Sequence, residues 1–348
     1  MWGVWVATAG GLDFPLAEAT TQRELDQRIT AILSMFQRAG IDTVFFQARA
    51  CGDAYYQSKL FPTAYGLPKG YDPLERFIQM AHDRGIELHA WVNPYRVKYP
   101  DNLSKRSVDP CYLKLGKASL IEYRDGSVHL NPICDTSLRV MEACVDELIT
   151  RYNIDGIHMD DRYYPGSDVD DGLQADSHDI RRHCVTKLIK RVRERVDAAK
   201  RTVLFGVSPG GIWANKTSHP MGSDTQGVEA YHDHYADAIS WMQEGLLDYC
   251  IPQLYDRCGD PKGDYKTLLR WWVKRAEGTN TDLVIGHSAY KVNDPLCPMF
   301  DLVELERQLQ LNHSHPAIRG SAFFRSGSLM ANPALTALIC SWSVQKHR

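Results

Sequence analysis

The chain has 348 residues, 44% of them hydrophobic, which is enough for one large core or two ordinary ones. With 40 Lys and Arg against 43 Asp and Glu, a formal net charge of −3 and no basic block, a nucleic-acid groove or an anionic membrane surface is excluded as the principal partner. A poly- or oligosaccharide, neutral or mildly anionic, fits better.

From the N-terminus, Met1-Trp2-Gly3-Val4-Trp5 already reads as a strand, not as a basic stretch leading into an apolar one. No apolar run reaches the roughly 20 residues of a membrane-spanning helix. The expectation is a protein that is cytoplasmic, or periplasmic or secreted with its signal peptide removed. Strand-like runs then recur at Gly3–Thr8, Thr43–Arg49, Glu87–Asn93, Gly156–Asp161, Val203–Ser208, Tyr249–Tyr255, Leu283–Ser288 and Gly320–Phe324. Between them lie helical patterns near Arg23–Ala39, Pro73–Arg84, Ser137–Tyr152, Ser177–Ala199, Tyr231–Gln243, Tyr265–Arg275, Asp301–Leu311 and Pro333–Ser341. Arg23–Ala39 is typical, because Leu25, Ile29, Ile32, Leu33 and Phe36 recur at helical spacing and Gly40 supplies a stop. Eight βα units in series predict an α/β fold, a single (β/α)8 TIM barrel spanning 1–348.

The longest irregular stretches, Ala50–Tyr71, Pro94–Thr136, Tyr163–Asp176, Pro209–Ala230 and Asp256–Asp264, all follow strands, which assigns them to the C-terminal face where barrels of this kind keep their sites. An open doubly wound sheet is the competing fold, but no Gly-x-Gly-x-x-Gly turn follows the first strand. The nine cysteines are odd in number and contain no Cys-x-x-Cys pair, so they read as mostly reduced thiols.

The strongest local signal is the run Ile154 to Pro165, a strand that ends in Asp160-Asp161 and continues into Arg162-Tyr163-Tyr164. Alternation along a strand puts His158 and Asp160 on the face opposite Ile157 and Met159, toward the barrel mouth. The same alternation groups Gln47 with Arg49, and His89 with Trp91 and Asn93, with Tyr95 just beyond. Ser208, Trp213, Gln253 and Tyr255 follow at later strand ends. Aromatic faces beside amide and guanidinium donors suit a polyol. Glycoside hydrolysis needs two carboxyl groups, one to protonate the leaving oxygen and one to act as nucleophile or to activate water. Asp160 is expected to be one, its acidity set by His158, Arg49 and the second acid. That second acid is Asp161 if the strand has already turned, or else Asp256, Asp53 or Asp224.

Seven segments in order, Gly3–Thr8, Asp42–Arg49, His89–Arg96, Asp155–Asp161, Gly206–Pro209, Asp248–Tyr255 and Gly320–Phe324, resemble those of the glycosyl-hydrolase-like family numbered ten, a group of bacterial TIM-barrel proteins. The resemblance covers nearly the whole chain and implies a hydrolase of O-glycosidic bonds in bacterial polysaccharides, the amino-sugar glycan strands of cell-wall peptidoglycan being the associated substrate. Two departures bear on specificity. Asp256 stands where an aromatic residue is expected, and Cys51-Gly52-Asp53 replaces Pro/Ala-Gly-Asp.

Other signals are weaker. His232-x-His234 and His313-x-His315 diverge on a helix, and no zinc spacing accompanies them, so neither metal nor cofactor is expected. Ser208 lacks a Gly-x-Ser-x-Gly elbow and reads as a lining residue. The competing functions are a glycan-binding barrel without turnover, which would lack a second spaced acid, and a metal-dependent hydrolase or deacetylase.

Overall fold

The computed structural model describes residues 1–15, 21–102, 107–164, 166 and 169–344. In chain order its strands are β1 (Trp2–Val6), β2 (Thr43–Arg49), β3 (Glu87–Val92), the short β4 (Arg96–Lys98), β5 (Leu120–Glu122) and β6 (Val128–Leu130), then β7 (Gly156–Met159), β8 (Leu204–Val207), β9 (Tyr249–Cys250), β10 (Asp282–His287) and β11 (Ile318–Phe323). Eight of them, β1-β2-β3-β7-β8-β9-β10-β11, close into a parallel barrel, while β4, β6 and β5 form a separate antiparallel sheet. Helices lie between the barrel strands, so the expected (β/α)8 architecture is the one observed.

Burial explains why these strands read as continuous apolar runs. All seven residues of β2 are buried, because one face fills the barrel and the other meets the helices. The helix Gln22–Ala39 turns Leu25, Ile29, Ile32, Leu33 and Phe36 inward and starts at a Thr21–Glu24 capping box. All nine cysteines are free of disulfides. Among the described residues no helix is long and apolar enough to cross a membrane.

Three expectations need correction. The helix expected over Tyr231–Gln243 is two short ones, Ala230–Asp233 and Ala238–Gln243, separated where Tyr235 takes φ 55°. The strand expected to reach Tyr255 leaves regular pairing after Cys250; Pro252 has no N–H for a ladder, and Gln253 keeps only isolated bridges to Gly210 and Gly286. The stretch Pro94–Thr136 holds the β4-β6-β5 sheet, whose three-residue strands are too short to show a period. Residues 103–106 of that stretch, and 165, 167 and 168 of the stretch Tyr163–Asp176, lie outside the described residues.

The barrel interior sets the floor of the site. Trp5, Phe45, Trp91, Tyr249, Ile251, Val284 and Ala322 form a core of their own there. Rings this large fit because glycines face them: a methyl on Gly156 would lie 2.5 Å from His89, and one on Gly206 would lie 2.1 Å from Tyr249. Gly206→Ala is therefore expected to lower stability by about 1–3 kcal/mol through overpacking, read as a shifted urea midpoint. An unchanged midpoint would mean that Tyr249 can move.

The buried polar groups inside are joined in one direction. Trp5 Nε1 can only donate, and it does so to His158 Nε2 at 3.2 Å. His158 Nδ1 must then carry the proton and donate to the Tyr249 hydroxyl at 3.2 Å, which in turn donates to His89 Nδ1 at 2.8 Å. Burial, then the neighbouring His89, holds the His158 imidazole far below its ordinary pKa, so it is neutral. His158 is thus a satisfied core residue below the carboxylates.

Candidate active site

Asp160 follows the last residue of β7, the fourth barrel strand, and is only 7% exposed. Asn93 Nδ2 donates to both of its oxygens at 3.1 and 3.0 Å, and Trp91 Nε1 donates to Oδ2 at 3.2 Å. Both donors come from the end of β3, the barrel neighbour of β7. The carboxyl group is held above its ordinary range, first by burial and then by the charge of Asp161, while Arg96, Asn93 and Trp91 oppose the shift. Arg96 is the cation that most favours its ionised form, while Arg49, expected in that role, is engaged with the carbonyls of Asn93 and Pro94.

Asp161 is half-buried and its charge is felt by the Tyr255 hydroxyl as well as by Asp160. Asp256 lies 3.9 Å from Lys291 Nζ; burial pushes its pKa up and Lys291 partly offsets this. Of the other acids named from sequence, Asp53 sits beside Cys51 and Tyr99, and Asp224 is exposed.

The lining residues divide into two groups. Trp91, Asn93, Gln253 and Tyr255 come to the same end as Asp160. The Trp91 ring meets Phe324 edge to face at 6.4 Å, and Phe324 continues through Tyr255 at 6.3 Å to Tyr290, which is 39% exposed. Gln253 Nε2 donates to the Ser208 carbonyl at 2.8 Å, and the Ser208 hydroxyl bonds His158 Nε2 at 3.0 Å.

The second group is buried and engaged elsewhere. Gln47 Oε1 accepts from the backbone amides of Thr8 and Ala9 at 2.9 and 2.8 Å, closing the turn after β1. Arg49 does not line the cleft, because an extra residue in β2 between Gln47 and Arg49 takes it off the inward face. Its guanidinium is fully buried, donates to the carbonyls of Asn93 and Pro94 and lies over Phe61. Tyr95 and Tyr163 pack on each other, Tyr163 also on Trp241, and His89 is enclosed inside the barrel. Trp213 donates to Asp237 and joins an aromatic group with Trp271, Tyr231 and His219.

Sequence alone gives Arg96, Arg162, Phe324, Tyr290 and Lys291 no role in the site. Phe324 was legible, since it ends the eighth strand in step with Ala322. Arg96 was not, because its position depends on the β4-β6 pairing. Among the described residues no group of three or more His, Cys, Asp or Glu side chains is arranged to hold a metal ion.

A closed parallel barrel with an adjacent aspartate pair, an aromatic wall and amide donors gathered at the C-terminal ends of its strands has the architecture of the TIM-barrel glycosidases. The chain belongs to the glycosyl hydrolase-like 10 family, whose model matches residues 1–301. It is 35% identical over 366 residues to glycosyl hydrolase DigH of Escherichia coli strain K12, covering 94% of this chain and 83% of that protein. Glycosyl hydrolase YngK of Bacillus subtilis strain 168 is 33% identical over 352 residues, covering 95% and 69%. Among solved structures, the PgaB (BpsB) glycoside hydrolase domain from Bordetella bronchiseptica superposes with a TM-score of 0.62 at 13% identity, covering 97% of both chains. An endo-β-1,4-mannanase from Thermotoga petrophila gives 0.60 at 12% identity, covering 99% of this chain and 76% of that one. At such identities these two structures carry the fold alone.

Proposed function

We propose that the protein is a glycoside hydrolase that cleaves O-glycosidic bonds within a bacterial amino-sugar glycan, with Asp160 and Asp161 as its working carboxylates. The observation that carries this reading is the state of Asp160. Both its oxygens accept from the N–H groups of Trp91 and Asn93, which fix the carboxyl group in place and offset part of what burial costs its charge. That suits the group that faces the anomeric carbon and its developing positive charge. Asp161, half-buried and next to the Tyr255 hydroxyl, is the acid that protonates the leaving oxygen. The wall of Trp91, Phe324, Tyr255 and Tyr290 supplies faces for sugar rings. Asp256 and Lys291 hold hydroxyls at the rim. The names of the DigH and YngK relatives support glycosyl hydrolysis as the reaction.

Release of reducing ends from purified peptidoglycan glycan strands and from N-acetylglucosamine polymers tests the reading directly. Binding without release of new ends from either polymer would make the protein a glycan-binding barrel. The pH profile is a second test. Asp160 must be ionised to act, and burial raises its pKa above the ordinary 3.8, so kcat/KM is expected to fall off at a higher pH than a free carboxylate would give. Arg96 favours the anion, so Arg96→Met should move this acidic limb to still higher pH. A limb that stays in place or moves down would detach it from Asp160.

A further inference from the structure

A buried ion pair outside the cleft is tied to the segment that carries Asp161. Arg181, in the helix His178–Asp197, donates from Nε and Nη2 to the two oxygens of Asp171 at 2.8 and 2.9 Å, and the two side chains are 1% and 0% exposed. Burial works against a charged Asp171, yet Arg181 and the Leu173 amide hold its carboxyl below the ordinary range, so the pair is ionised. Desolvation offsets most of what such a pair gains over apolar side chains of similar size. What its two parallel hydrogen bonds supply is a fixed geometry.

That geometry reaches Asp161 through Tyr164. The Tyr164 hydroxyl donates to Asp171 Oδ2 at 3.4 Å, and its carbonyl accepts from His234 Nδ1 at 2.6 Å. The Tyr164 ring meets Tyr235 edge to face at 4.8 Å, and the Arg181 guanidinium lies over Tyr235 at 5.6 Å. Tyr235 takes φ 55°, a left-handed conformation that a tyrosine keeps only where its surroundings impose it. Asn131, directly after β6, donates from Nδ2 to the Asp171 carbonyl at 3.1 Å and so joins the small sheet to the same anchor. Between this anchor and the carboxylates the chain is held residue by residue. The Tyr163 amide donates to the Asp161 carbonyl at 3.3 Å while its ring packs on Trp241 at 5.5 Å, and the Arg162 amide donates to Asp160 Oδ1 at 3.5 Å.

We infer that Asp171 and Arg181 are positioning residues: through Tyr164 they fix the turn that sets the Asp161 carboxyl relative to Asp160. The inference rests on the proposed function for the task of Asp161 and adds the residues that hold it to that task. Displacing a reacting group by about 1 Å can cost on the order of a hundredfold in rate.

The test is the paired exchange Asp171→Leu with Arg181→Met, which removes one charge of each sign and leaves neither buried alone. On the polymer kcat/KM is expected to fall on the order of tenfold or more, mostly in kcat, and to recover on an aryl glycoside with an acidic phenol, which needs little help from an acid. Added to Asp161→Asn, the exchange should cost less than about twofold more, because residues that act only through Asp161 then have nothing to act on. Equal losses on both substrates, a loss that multiplies with that of Asp161→Asn, or no loss at all overturns the inference. Should the exchange unfold the chain, Tyr164→Phe decides in its place, since it leaves the ion pair whole. A loss of about threefold or more on the polymer, recovered on the aryl glycoside, is then expected, and an unchanged rate overturns the inference. Carbon NMR titration of the Asp160 carboxyl needs no turnover and separates this inference from the one beneath it. Burial and the charge of Asp161 hold that group up, so an Asp161 set loose should let it titrate lower. A wild type that never cleaves, with an Asp160 titration lowered by the exchange, refutes hydrolysis and keeps the positioning role. A wild type that cleaves, with titration and substrate ratio both unmoved, refutes the positioning role and keeps hydrolysis.

Discussion

Asp160→Asn is expected to reduce kcat on a polymeric amino-sugar glycan by at least about a hundredfold while leaving the fold intact. General acid or base action alone is commonly worth about 10² to 10⁴ in rate, and an anion placed against developing positive charge adds to it. The amide keeps the shape and one acceptor oxygen for Trp91 and Asn93 but removes the charge. Stability should move in the other direction from activity. The folded-state pKa of Asp160 is raised, so this group's contribution to stability is greatest at low pH and is lost as pH rises through that value. At neutral pH the buried anion costs stability, and the asparagine variant should melt at the same temperature as the wild type or above it. A variant that keeps most of its activity would place the catalytic centre elsewhere in the cleft. One that loses activity together with a lowered melting temperature would make Asp160 a structural residue.

How far the sequence reached depended on what each inference rested on. Strand and helix alternation depends on local periodicity, and Arg23–Ala39 or Thr43–Arg49 agree with the structure to within a residue. Inward-facing positions follow from the period of two, which is why His158 and Asp160 were assigned together and why Trp91 and Asn93 were found with them. The same rule misplaced Arg49, because one extra residue in β2 ends the alternation and nothing in Gln47-Ala48-Arg49 announces it. It also could not tell depth: His158 and Asp160 share a face, but one lies in the closed interior and the other reaches the mouth. Arg96 escaped because its neighbour His129 is 33 residues away in sequence and meets it only through β4-β6 pairing. Long-range pairing of three-residue strands leaves no local trace.

Asp161→Asn is expected to cost at least about a hundredfold in kcat/KM on the natural polymer, and Asp256→Asn about tenfold or less, appearing mainly in KM. Both aspartates could have served as the second acid on sequence grounds, and three features separate them. Asp161 directly follows Asp160, and its charge acts on both Asp160 and the Tyr255 hydroxyl. Asp256 instead has Lys291 at 3.9 Å and Asp260 nearby. Its backbone carbonyl is also tied down by Gln308 at 3.2 Å, which fits a rim residue that positions a hydroxyl. The leaving group gives a sharper discriminator than the total loss. A residue whose task is to protonate the leaving oxygen matters less as that oxygen becomes a weaker base, so Asp161→Asn should recover much of its rate on an aryl glycoside with an acidic phenol, and Asp256→Asn should show no such recovery. If the recovery appears in Asp256→Asn instead, the acid belongs on the sixth barrel strand and Asp161 is left to orient Asp160. Recovery in neither variant would mean that the two carboxylates act as one unit on the same side of the bond, and that the proton reaches the leaving oxygen from another group.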